Sequence, residues 1–271
     1  EYSDMIRSRF ATDQNNFKVV KYITVSTQAK DRKQAYRKLN DIENHFATQF
    51  QIVDVPIKAL DGSQRLNIFN DLLRGNPYLN VSYRDVALAG LTTKSFIAPS
   101  RIFFQPDQMR LDKKYAKVLF IRNYPSFLND RLIKSLTDIG IELAITIHAN
   151  PYDISESIKK INNAEAQVKM DMIKSQKGAA RDGITGDLAV SGVAKAIADE
   201  ATKWKDEVED RDQKIFSGVF CVMVKADSEE ELIDYTNRIQ QAGRKHVVEF
   251  EEVYYHQEEA LNTMLPIGKT Y

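Results

Sequence analysis

With one cysteine in 271 residues, Cys221, the chain can close no disulfide within itself, which fits a reducing compartment. It also lacks net charge. Thirty-eight Lys and Arg face 38 Asp and Glu, so no global field gathers phosphate backbones. That disfavours a dedicated nucleic-acid binder and leaves room only for a local basic patch. No uncharged run approaches the ~20 apolar residues that span a bilayer, and the apolar segment Phe216 to Val224 has the length of a buried strand. No signal peptide, internal repeat or low-complexity stretch is visible. The first residue is Glu1 rather than Met, so the chain reads as a piece of a longer protein.

What is present is ordinary globular material. Hydrophobic residues at 43% and charged residues at 28% are too apolar a mixture for disorder. The length suffices for one large domain or two modest ones.

The patterning predicts an α+β fold of two α/β blocks, the second ferredoxin-like. In the first block, residues 1–80, Val19 to Val25 is β-branched and reads as a strand. Asp31 to Phe50 carries a helical stripe at Ala35, Leu39, Ile42 and Phe46. Ile52 to Ile57 reads as a second strand. Asp61-Gly62 reads as a turn, and Arg65 to Arg74 as a helix stopped by Gly75 and Pro77. Residues 81–100 form a connector broken by Gly90 and Pro99. Short strands, Arg101 to Gln105 and Met109 to Leu111, flank a turn at Pro106-Asp107.

The second block, residues 101–255, is read as β-α-β, an insertion, then β-α-β. Its elements are Ala116 to Arg122, the helix Asn129 to Asp138, Ile141 to His148, Gly218 to Lys225, a helix opened by a Ser228/Glu231 capping box, and His246 to Phe250. The insertion, 152–215, predicts a helical hairpin. Ile154, Ile158, Ile161, Val168 and Met172 stripe the first arm. Gly178, Gly183 and Gly186 mark the break, and Val193, Ile197, Trp204 and Val208 stripe the second. Both stripes pack chiefly on each other and on the sheet. Met172 and Trp204 are the candidate docking residues for another subunit. Residues 256–271 read as a linker.

Chemistry is scarce. Gly268-Lys269-Thr270 lacks the second glycine of a phosphate loop, because Thr263 stands there, and Pro266 removes an amide the loop needs. Leu119-Phe120-Ile121-Arg122-Asn123 resembles the shorter motif of RNA-recognition sheets, in which the aromatic stacks a base. The third strand, Ser217 to Val222, lacks the basic residue of the partner motif, so Phe120 reads as core. A nucleic-acid-binding ferredoxin-like module remains the alternative reading. His45, His148, His246 and His256 show no metal spacing. Cys221 lies in an apolar strand that keeps its thiol inert. Glu229 to Glu231 and the acidic run Glu207 to Asp212 read as solvated helix faces. No catalytic, cofactor-binding or metal-ligating residue is assigned.

Five pieces carry a resemblance across nearly the whole length. They are Lys21-Tyr22-Ile23-Thr24-Val25-Ser26, Arg65-Leu66-Asn67-Ile68-Phe69-Asn70-Asp71, Gly90 to Ser100 (GLTTKSFIAPS), Gln257-Glu258-Glu259-Ala260-Leu261 and Leu265-Pro266-Ile267-Gly268. In this order and spacing the chain resembles the N-terminal region of the VirB/TrbE/CagE-type ATPases of type IV secretion, especially those of Gram-positive conjugative elements. The resemblance implies a non-catalytic domain whose ATP- and Mg-dependent motor, with its Walker elements, follows the Leu-Pro-x-Gly signature. It further implies a cytoplasmic protein peripherally associated with the cell membrane. Its expected partners are inner-membrane components of the channel and other copies of itself, as dimer or hexamer.

Overall fold

A computed structural model describes residues 18–75, 82–125, 127–181, 204 and 214–271. The fold is α+β. It divides into two units, the first made of 1–148 and 219–271, the second of 149–218.

In the first unit, helix α1 (Arg32–Ile52) starts where the Asp31 carboxylate accepts the Gln34 amide at 2.8 Å. It runs on through Ile52, and Asp54 then takes a positive φ of 54°. The strand expected over Ile52 to Ile57 therefore does not form. Neither does the strand expected at Val19 to Val25, which is exposed chain with no sheet neighbour among the described residues.

Helix α2 (Gly62–Arg74) begins three residues before the expected Arg65. Asp61-Gly62, expected as a free turn, supplies its N-cap. Asp61 accepts from the Gln64 amide at 2.8 Å and Gln64 Oε1 accepts the Asp61 amide at 3.1 Å. Gly75 ends it with φ 60°, its N–H reaching back to the Asn70 and Asp71 carbonyls. The expected connector holds two short helices, α3 (Tyr83–Leu88) and α4 (Thr93–Ile97). Arg74 Nη1 donates to the Phe96 carbonyl at 3.1 Å, tying α4 to the end of α2.

The sheet has six strands: β1 (Ile102–Phe104), β2 (Met109–Leu111), β3 (Lys114–Ile121), β4 (Leu143–Pro151), β5 (Phe216–Ala226) and β6 (Phe250–Glu252). The path runs β1-β2-β3-β5-β4, with β6 also on β3. Strand β3 divides one edge between two partners. Lys114 to Ala116 pair with β2, and Leu119 to Ile121 pair with β6. Without the β1–β2 hairpin the order is β6-β3-β5-β4, which is fourth, first, third, second along the motif. That is the ferredoxin-like order, with helices α5 (Arg131–Thr137) and α7 (Glu229–Arg244) as its crossovers.

Ser228 caps α7 as expected, accepting the Glu231 amide at 3.2 Å. The return arm differs, because Glu231 Oε2 takes the Asp227 amide rather than that of Ser228. The last strand starts at Phe250, since the segment from His246 is a turn with Val247 at φ 59°.

Both faces of the sheet are covered. On one, Leu119, Ile121, Val222 and Val224 meet Leu132 and Leu136 of α5 and Leu232, Ile239 and Ala242 of α7. On the other, Met109, Leu111, Val118 and Met223 meet Leu73 of α2 and helix α8 (Gln257–Met264) through Ala260, Leu261 and Met264. Residues 256–271, expected as a linker, thus contribute to the core. Each face takes in one lysine. Lys117 Nζ lies 2.6 Å from Glu252 and 3.6 Å from Asp107. Lys225 Nζ meets Glu142 at 2.5 Å and donates to the Asp71 carbonyl at 2.9 Å, in the last turn of α2. Buried ammonium groups need such partners, and a cation at a helix C-terminus also meets the favourable end of its dipole.

In the second unit, helix α6 (Ile154–Arg181) forms the expected first arm and is about 42 Å long at 1.5 Å per residue. Gly178, expected in the break, lies inside it. Ile161 is buried against Ile158 and Ile215, and the Tyr152 N–H donates to the Ile215 carbonyl at 2.9 Å. The second arm, apart from Trp204, lies outside the described residues, as do Gly183, Gly186 and the acidic run from Glu207.

Gly243 is a point of close packing on α7. A Cβ there would stand 2.6 Å from Phe250 Cδ2 and 2.8 Å from the Val248 carbonyl oxygen. Gly243→Ala should lower stability by about 1–3 kcal/mol despite the better helix propensity of alanine, read as a lower urea midpoint.

Candidate docking surfaces

Three of the five pieces singled out in the sequence meet just beyond the end of α8. The last carbonyls of that helix have no intrahelical donors, and β4 supplies them. His148 Nε2 donates to the Thr263 carbonyl at 2.7 Å and Thr146 Oγ1 to the Met264 carbonyl at 3.2 Å. The turn that follows is held from two other directions. Arg65 Nη2 donates to the Pro266 carbonyl at 3.2 Å, and Ser26 Oγ to the Gly268 carbonyl at 3.2 Å. Gly268 has φ 69°, and a Cβ on it would come within 2.7 Å of Ser26 Cβ. Three pieces thus adjoin directly, and the fourth, Gly90 to Ser100, is tied to α2 through Arg74 and Phe96, beyond the piece Arg65 to Asp71. The fifth, Gln257 to Leu261, is the start of α8 itself.

This junction has no visible catalytic chemistry. Gly268-Lys269-Thr270 follows a helix C-terminus, the electrostatically wrong end for phosphate. Among the described residues no three His, Cys, Asp or Glu side chains gather as a metal site. His246 Nε2 lies 2.7 Å from Ser135 Oγ, and His45 is exposed on α1. His256 faces Glu259 at 3.6 Å, and that carboxyl is held below its ordinary range chiefly by a backbone hydrogen bond. Glu229 to Glu231 occupy the first turn of α7, where the helix dipole favours them, and Glu229 accepts from Gln108 Nε2 at 3.2 Å.

Phe120 is half-buried against the cluster that α8 shares with the strands. The face on which an RNA-recognition sheet would stack a base therefore carries a helix here. Trp204 is 52% exposed, while the side chain of Met172, on α6, lies outside the described set. Along α6, Met170 and Ile173 are exposed. Sequence reasoning missed Lys117 and Lys225; their signal was a cation flanked by apolar residues in the interior of each of the two central strands.

Among the described residues no helix is long and apolar enough to cross a membrane. No protein-family model matches the chain, and no curated protein is significantly similar to it.

Cys221 is buried, and desolvation pushes its thiol up from an ordinary 9.0 to about 11. Ionisation is thus disfavoured in the fold, so between these two values Cys221 subtracts stability as pH rises. The native thiol should resist alkylation at pH 9 and react at once in denaturing urea, as followed by mass spectrometry.

Proposed function

We propose that this chain is the non-catalytic N-terminal domain of a conjugative type IV secretion ATPase. In this reading it docks the motor on the inner-membrane channel platform and contributes to assembly between copies. The motor, with its ATP and Mg, belongs to the part of the protein that follows. The observation that carries the reading is the convergence of three of the pieces just beyond the end of α8. Pieces recognised separately, with Ser26 and Gly268 lying 242 positions apart and Arg65 and Pro266 lying 201 apart, are hydrogen-bonded to one another. A chance scatter of short similarities would have no reason to share one junction.

The adaptor role also fits the structural engagement of the buried ionisable groups among the described residues: Lys117 and Lys225 in ion pairs, Cys221 in the core. Peripheral association with the membrane and placement in the cytoplasm belong to the same proposal. Trp204, exposed in the second unit, is a candidate contact for another subunit.

The test is direct. Reading the coding sequence beyond Tyr271 should reveal an in-frame Walker A motif, and the purified chain should neither hydrolyse ATP nor bind it tightly. A stop codon at that point, or robust hydrolysis by this chain alone, overturns the proposal.

A further inference from the structure

The charge balance of the chain is neutral overall but not locally. Seven of the 38 basic residues fall between Lys18 and Lys38, against a single acid, Asp31, whose carboxylate is engaged in capping α1. All seven are exposed, and none forms an ion pair among the described residues. Interleaved with them are apolar side chains left in water: Val20, Tyr22 and Ile23 are 53%, 52% and 59% exposed, and Tyr36 is 68% exposed. Helix α1 buries none of its residues.

The helix geometry orders these groups. At about 100° per residue, Ala35, Leu39, Ile42, Phe46 and Phe50 fall on one side of α1. Lys33 and Lys38 stand on opposite flanks, about 120° and 100° from Leu39. Long lysine stems on the flanks can lie along an apolar surface while their ammonium groups reach outward. Glu43 is the one acid on the apolar side, and it falls beyond the basic half. Lys38 Nζ also donates to the Gln28 carbonyl at 2.9 Å, holding the preceding segment beside the helix.

We propose that residues 18–40 are a binding element for an anionic lipid leaflet. The segment and the first turns of α1 lie in the headgroup region, with Val19, Val20, Ile23 and Leu39 toward the acyl boundary. The basic residues meet lipid phosphates. Charge complementarity selects an anionic surface. The exposed apolar set selects lipid over nucleic acid, because it is mostly aliphatic, and aliphatic side chains gain nothing from base stacking. The inference stands on this segment's charge and exposure and deepens the peripheral membrane association proposed above; the vesicle experiment can fail without touching the Walker A test, and the reverse.

The experiment is co-sedimentation of the whole chain with vesicles of phosphatidylcholine alone and of phosphatidylcholine mixed with phosphatidylglycerol. Binding is expected to the mixed vesicles only, weakening as salt is added. Lys33→Glu with Lys38→Glu should lower that binding at least about tenfold. The same charge change at exposed Lys113 and Lys245 should leave it intact. Tyr36→Gln with Leu39→Gln should weaken it without altering charge. Circular dichroism and the urea midpoint should be unchanged in all variants, since α1 buries no residue. Absent binding, equal binding to neutral vesicles, or equal loss in the Lys113/Lys245 control overturns the proposal. So does tighter binding of single-stranded DNA through the same lysines.

Discussion

The pairing of β3 with β5 carries the fold. Six consecutive residues of β3, Tyr115 to Phe120, face six of β5, Ala226 back to Cys221, and the two strands present apolar side chains to both sides at once. A sheet buried on both faces needs two separate coverings. Here α5 and α7 supply one, and α8 with the end of α2 supplies the other. The lysines follow from the same constraint. A cation within such a pair persists only where carboxylates and helix carbonyls take the place of water. Lys225 therefore acts as a bolt between β5 and the carboxyl end of α2.

The second covering distinguishes this ferredoxin-like sheet from those that leave one face open for a ligand. With α8 seated on Val118 and Met223, the sheet interior is occupied by the protein's own chain. The surfaces proposed for recognition lie elsewhere: exposed Trp204 in the second unit and the basic segment of residues 18–40.

The α+β class and the motif order were legible because Ile141 to His148 alternates and Ala116 to Arg122 and Gly218 to Lys225 are short, largely apolar runs of strand length. Leu232, Tyr235 and Ile239 mark the α7 stripe in the same way. The errors cluster where structure depends on something outside the local window. Val19 to Val25 has the composition of a strand, yet a strand exists only beside another, and no local pattern supplies the neighbour. Asp61-Gly62 has the chemistry of a turn and of a helix N-cap, and only Gln64 reaching back decides between them. Helix α8 is eight residues long, too short for a clear period, so Ala260, Leu261 and Met264 passed unnoticed as core. The candidate docking residues, Met172 and Trp204, were legible only as unusual apolar types. That Ser26 and Arg65 would meet one turn was not legible, because their partners lie more than 200 positions away.

The hydrogen bond between Tyr152 and Ile215 bears on how the chain reaches this fold. The central strand finds its partners β5 and β6 only after the whole second unit has been made, an ordering that ordinarily slows folding. A unit whose ends are already joined at 2.9 Å changes that search. Once it forms, it delivers β5 to β4 as a short turn would, and the entropy of closing some sixty residues is spent beforehand. The length of the inserted piece then matters little to the rest of the molecule. A change in its length should leave the sheet undisturbed, provided its two ends still meet.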